Sequence, residues 1–122
     1  GNLVVTGRFK NLIIRGGENI SPVEIERAIK EVIGKAEVKV FGVPTIVLQE
    51  EIVACIEGKG SEDDKQKIID HLKGRISGYK IPKYIFFIED MPRNSTGKIN
   101  EKFLKNKIIA DINGETRKGR TR

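Results

Sequence analysis

The chain has 122 residues, 38% hydrophobic and 33% charged, with a net charge of +6; that is the make-up of one globular domain, and no apolar run approaches the roughly 18 residues a membrane span requires. Half of the positive excess sits in the last eight residues, "ETRKGRTR", where Arg117, Lys118, Arg120 and Arg122 stand against Glu115. The remaining basic residues interleave with acidic ones and bring no aromatic platform, so a nucleic-acid role is disfavoured.

In chain order, "GNLVVTGRFK" lacks the charged start, apolar centre and small-residue cleavage site of a signal peptide, and it is read as beginning inside a longer protein. Next, "IIRGGENIS" places Gly16 and Gly17 at a hairpin turn between two short strands. Turn chemistry accounts for the pair through positive φ; the alternative is a ligand approaching bare backbone. "ISPVEIERAIKEVIG" then spells a helix. Ser21 and Glu24 have capping-box spacing, Pro22 suits the first helical position, and Ile20 and Ile25 form a staple. Ile25, Ala28, Ile29, Val32 and Ile33 recur at helical spacing, and Gly34 ends the run.

"AEVKVFGVP" alternates like a half-buried strand, and "EIVACIE" is β-branched enough for a buried one. Cys55, the only cysteine, lies in the latter and is expected as a buried, unreactive thiol; a lone cysteine also fits a reducing, cytoplasmic setting. A second helix is written in "SEDDKQKIIDHLKGRI", where Ser61 can cap, Glu62, Asp63 and Asp64 suit the positive end of the dipole, and Ile68, Ile69, Leu72 and Ile76 form the buried stripe. His71, the only histidine, falls on that helix's polar face. A Ser-His-Asp triad therefore has no material, and no metal site is expected.

Gly78 and Pro82 bracket the turn "GYKIPKY" before a third strand, "KYIFFIED". The turn formers of "PRNSTGKI" follow, and then a last helix capped by Asn100 with Phe103, Leu104, Ile108 and Ile109 turned inward. The fold class is α+β: a small two-layer domain with an N-terminal β-hairpin, a central three-stranded sheet packed with helices, and a C-terminal lysine loop and helix. Lys98 at the tip of that loop has two readings, a solvated surface lysine or a cation presented to phosphate or carboxylate oxygens. No G-x-x-x-x-G-K-[ST] or G-x-G-x-x-G spacing occurs, so phosphate-cradling loops of those types are excluded.

Taken together, "GRFKNLIIRGGENISPVEIE", "AEVKVFGVP", "GYKIPKYIFFIEDMP" and "STGKI", in this order and spacing, resemble the C-terminal domain of the adenylate-forming superfamily, which includes acyl-CoA synthetases, nonribosomal peptide synthetase adenylation domains and firefly luciferase. The resemblance covers roughly residues 3–109. It implies the mobile C-terminal domain of an ATP-dependent acyl-CoA synthetase, a ligase of fatty acid metabolism that adenylates a carboxylate and then forms the thioester with CoA. Lys98 matches the lysine that contacts the carboxylate and α-phosphate oxygens in the adenylation conformation. Lys10 matches the hinge of the domain alternation, and Arg8 an arginine at the nucleotide ribose. Gly16 and Gly17 match the hairpin lining the pantetheine tunnel, and Tyr79 aligns with an aromatic that stacks on the CoA adenine in some relatives.

Two departures from the pattern stand out: Ile81 where such relatives have a basic phosphate contact, and Thr45 and Gln49 where an acidic residue and a glycine are usual. The implied layout is a connection and hinge over 1–10, the C-terminal lid domain over 11–110 and a basic, disordered tail over 111–122. ATP, Mg2+ and CoA belong to the full-length enzyme, and none is expected to bind this fragment tightly. Its partners are the N-terminal AMP-binding domain, absent here, and CoA or a carrier-protein pantetheine. The chain is expected to be inactive by itself. Two other readings stay open: part of an adenylation domain that loads a carrier protein, and a basic module binding nucleic acid or protein.

Overall fold

The computed structural model describes residues 12–45 and 49–118. Strands β1 (Ile13–Arg15) and β2 (Glu18–Ile20) form the hairpin, helix α1 covers Pro22–Ile33, and β3 (Val38–Thr45) and β4 (Gln49–Glu57) follow. After them come α2 (Glu62–Lys73), a 3-10 turn at Gly78–Lys80, β5 (Tyr84–Ile88) and α3 (Glu101–Lys118). The chain divides into two compact units, Gly1–Glu89 and Asp90–Arg122.

In the first unit β4 is the central strand. It pairs antiparallel with β3 from Val38↔Ile56 to Thr45↔Gln49 and parallel with β5 from Val53↔Tyr84 to Glu57↔Ile88. The hairpin joins the sheet through one register pair, Arg15↔Gln49. Alternation along the strands sends Val38, Val40, Ile52, Ala54, Ile56 and Ile85 to one face, where they share a core with Ile25, Ala28 and Ile29 of α1 and Ile68 and Leu72 of α2. Each fully buried isoleucine there contributes about 1.5–3 kcal/mol. The hairpin's Ile13 and Ile20 enter the same core. The opposite-facing Phe41, Val43, Val53 and Cys55 are buried as well. The α+β architecture read from the sequence is the one observed.

Several local expectations need correcting. Ser21 takes the extended N-cap backbone before α1, but its side chain makes no cap hydrogen bond. Glu24 is engaged elsewhere, accepting from Lys80 Nζ at 2.9 Å, so the capping box has lost its second half to a tertiary partner. The reciprocal box forms on α2, where Asp64 N donates to Ser61 Oγ at 3.2 Å and Ser61 N to Asp64 Oδ2 at 2.9 Å. Val32 lies on the exposed side of α1, although it fits the helical spacing.

In the second unit Asn100 Oδ1 caps α3 by accepting from Phe103 N at 3.1 Å. Leu104 and Ile108 are buried, one turn apart, whereas Phe103 is 58% exposed rather than inward. A position next to Leu104 is rotated about 100° around the helix, beyond the narrow stripe that two residues one turn apart define. The helix also runs past residue 110 to Lys118.

Candidate functional site

The glycine hairpin is tight. Ile14↔Asn19 and Arg15↔Glu18 pair across a two-residue loop, Gly16–Gly17, with φ of 57° and 87°. Positive φ at both loop positions is the demand of the hairpin turn whose twist matches its strands, and glycine meets it without a Cβ clash. A Cβ placed on Gly17 would meet nothing within 4 Å, so the turn faces open space with bare backbone.

Two carboxylates from the start of β4 hold this hairpin. Glu50 Oε1 accepts from Ile14 N at 2.8 Å, and Glu51 Oε1 accepts from Arg15 Nε at 2.7 Å. Glu51 is 5% exposed. Arg15 in turn donates from Nη1 to the Tyr79 carbonyl at 3.1 Å, which ties the hairpin to the 3-10 turn 64 residues later. On that turn the Tyr79 ring is 43% exposed, with Lys80 Nζ 5.8 Å from its centroid. The Glu24 carboxylate raises the pKa of the Lys80 ammonium, chiefly through their hydrogen bond. Gly16, Gly17 and Tyr79, three of the residues singled out in the sequence, are thus held on linked elements. Ile81, the departure from a basic residue, packs against the core.

Beside this network a cleft of about 450 Å³ runs along α1, lined by Ser21, Glu24, Arg27, Arg75 and Ile76 among others. Arg75 is committed to Glu31, with Nε at 2.8 Å and Nη2 at 2.7 Å from its two oxygens, and His71 Nε2 lies 2.7 Å from the same carboxylate. Those bonds, Arg75's first and His71's second, hold the Glu31 carboxyl down at about 2. Burial pushes the Cys55 thiol the other way, up to about 12, as befits a buried structural cysteine.

The lysine loop belongs to the second unit and is itself a miniature hairpin. Arg93 and Ile99 form a bridge, Gly97 N donates to Asn94 O at 2.9 Å, and Asn94 N donates to Lys98 O at 2.7 Å. With Gly97 at φ 90°, Ser95–Thr96–Gly97 is a three-residue loop closed by a positive-φ residue. Arg93 Nη1 braces it by donating to the Gly97 carbonyl at 3.1 Å. Lys98 therefore follows the three-residue loop, one residue before the Ile99 bridge, rather than occupying the tip. Its backbone is pinned while its side chain is exposed.

Arg8 and Lys10 lie outside the described residues. Among the described residues no group of three or more His, Cys, Asp or Glu side chains could hold a metal ion, and no helix is long and apolar enough to cross a membrane. Sequence reasoning missed Arg15, Glu50 and Glu51. The available signal was a pair of adjacent carboxylates opening an otherwise apolar strand.

Comparison with known proteins returns one family in every direction. The model of the AMP-binding enzyme C-terminal domain matches residues 24–98. The chain is 44% identical over 102 residues to the mitochondrial medium-chain acyl-CoA ligase ACSF2 of Danio rerio, covering 83% of this chain and 17% of that protein. It is 38% identical over 112 residues to the long-chain-fatty-acid–CoA ligase FadD13 of Mycobacterium tuberculosis, covering 92% and 22%. Among solved structures it resembles the Mycobacterium tuberculosis fatty acyl CoA synthetase at 39% identity and a TM-score of 0.77, over 85% of this chain and 21% of that one. ATP-bound MatB from Rhodopseudomonas palustris is similar at 33% identity and a TM-score of 0.74, over 83% and 20%. The chain thus spans about a fifth of the length of these relatives.

Proposed function

The chain belongs to the AMP-binding enzyme C-terminal domain family, and from that premise we propose that it is the mobile lid of an ATP-dependent acyl-CoA synthetase, inactive without its N-terminal domain. The observation that carries this reading is the pinned lysine hairpin: Asn94 N to Lys98 O at 2.7 Å and Arg93 Nη1 to Gly97 O at 3.1 Å fix the backbone from which one ammonium projects. ATP supplies the α-phosphate that the carboxylate attacks. Lys98 holds a positive charge where two anionic groups must approach, which is the electrostatic service that reaction requires.

In the second half-reaction the Gly16–Gly17 hairpin takes the lysine's place and lines the pantetheine path with bare backbone. Tyr79 offers an exposed ring to the adenine of CoA, and Arg27 in the neighbouring cleft offers positive charge to its phosphates. Arg8 contacts the nucleotide ribose, and Lys10 is the hinge between the two orientations. The lid spans 11–110.

The test is Lys98→Ala in the full-length enzyme. Adenylation, read as substrate-dependent pyrophosphate exchange, is expected to fall by about 100-fold to 1000-fold, the loss typical of one preorganised donor. Thioester formation from preformed acyl-adenylate is expected to continue near the parent rate. Equal loss in both half-reactions would assign the lysine a folding role. The 122-residue chain alone is expected to give no exchange, since the proximity contribution of about 7–11 kcal/mol requires the bound substrates.

A further inference from the structure

We propose that Arg15 is a positioning residue for thioester formation, its guanidinium fork locking the glycine hairpin to the Gly78–Lys80 turn while Glu51 holds the fork in place. This rests on the reading that the hairpin serves the second half-reaction.

The hairpin needs such a device. Its strands are three residues each, and it meets β4 through the single pair Arg15↔Gln49. A two-stranded ribbon of that size has little stability of its own, so side chains must set its orientation. Glu50 ties β1 to β4, but the bond from the hairpin to Tyr79 comes from Arg15.

The cost of the arrangement also points to orientation rather than stability. Glu51 is the one charged residue buried among the described residues, and a buried carboxylate is expensive unless it is paired and hydrogen-bonded. Its Oε1 accepts from Arg15 Nε at 2.7 Å and from Ile52 N at 3.1 Å. An apolar pair of similar volume would hold β1 to β4 at least as well. It could not reach the Tyr79 carbonyl. A lysine could not serve both partners in the same geometry, because the two bonds leave from different nitrogens of one planar group, Nε and Nη1. The result is one unit in which the bare turn and the Tyr79 ring are held on linked elements, the turn for the pantetheine and the ring for the adenine of one CoA molecule.

The experiment compares Arg15→Lys, Arg15→Ala and the double variant Arg15→Met with Glu51→Leu against the parent and Gly17→Leu, all in the full-length enzyme. Each is measured for pyrophosphate exchange, for thioester formation from preformed acyl-adenylate across a CoA series, and for thermal melting. The Arg15 variants are expected to raise KM for CoA by about tenfold or more, the worth of a charged hydrogen bond, while exchange stays within about twofold of the parent. The double variant removes the buried charge together with its partner and is expected to melt at or above the parent while showing the same rise in KM. A folded double variant with the parent KM for CoA overturns the proposal, as does an equal loss in both half-reactions that tracks the melting temperature. If Gly17→Leu blocks thioester formation while the Arg15 variants keep the parent KM, Arg15 alone loses its role. If Gly17→Leu leaves thioester formation at the parent rate, the tunnel reading fails and takes the proposal with it.

Discussion

Gly42→Ala tests how the glycine hairpin is anchored. A Cβ on Gly42 would lie 2.9 Å from both Cδ and Oε1 of Glu50 and 3.0 Å from Ile13 Cγ2, against an ordinary separation of about 3.5–4.0 Å. Glu50 is a diagonal neighbour of Gly42, since Gly42 pairs with Ile52 and Pro44 with Glu50, and its carboxylate lies beside Gly42 while Oε1 accepts from Ile14 N at 2.8 Å. The methyl group therefore contests the place of the hydrogen bond. Ile13 is 1% exposed and has no room to withdraw, so the carboxylate must move and release Ile14 N–H. Losing a charge-assisted bond costs about 1.5–3 kcal/mol, and the gain of alanine over glycine in a strand returns roughly 0.5–1 kcal/mol. A net loss of about 0.5–2.5 kcal/mol corresponds to a drop of roughly 2–10 °C in melting temperature for a domain of this size. Thermal melting gives the sum, and hydrogen exchange of the Ile14 amide locates it. Adding Glu50→Ala removes the carboxylate that the methyl strikes, so Gly42→Ala is expected to cost less in the Glu50→Ala background than in the parent. Gly42→Ala melting with the parent, or costs that simply add in the double variant, would refute the mechanism.

Cys55, at about 12 and buried, is expected to resist alkylation in the folded protein at pH 8 and to react at the ordinary rate once the chain is denatured; mass spectrometry after a timed iodoacetamide pulse reads both. Glu31, held at about 2 by Arg75 and His71, has a folded pKa below its unfolded value, so its contribution is complete above about pH 5 and fades as pH falls towards 2. The stability difference between the parent and Glu31→Gln is therefore expected to shrink across that window in urea melts, and a difference constant with pH would contradict it.

The helices and strands were legible because each repeats one physical period. The Ile25, Ala28 and Ile29 stripe and the alternation of Val38 and Val40 report burial directly, and Gly34 marks the end of α1 with φ at 72°. Lys98 and the two glycines were legible as residue types in turn contexts. What resisted reading depends on partners far away in the chain. The Ser21–Glu24 spacing is a sound local motif, yet Lys80, 56 residues on, takes the carboxylate. Glu50 and Glu51 have the look of a solvated pair, and only the register Arg15↔Gln49 turns them beneath the hairpin. Phe103 has the apolar character of a core residue, yet Leu104 and Ile108 alone are the buried residues of α3 among those described.

The two loops to which we assign the half-reactions solve opposite problems with one device, and loop length decides which. The two-residue loop here is of the hairpin type with positive φ at both positions, Gly16 at 57° and Gly17 at 87°, which glycine meets without strain, and the turn has no side chain to present. That suits a path for a slender thiol chain. A three-residue loop needs positive φ only at its last position, which Gly97 fills at 90°. The next residue, Lys98, then carries its side chain on a backbone fixed by the bond from Asn94 N to Lys98 O, one residue before the bridge at Ile99. A long, charged side chain is tolerated there and excluded at the apex of the other hairpin. The division we propose between bare backbone and ammonium is the one that loops of two and of three residues permit.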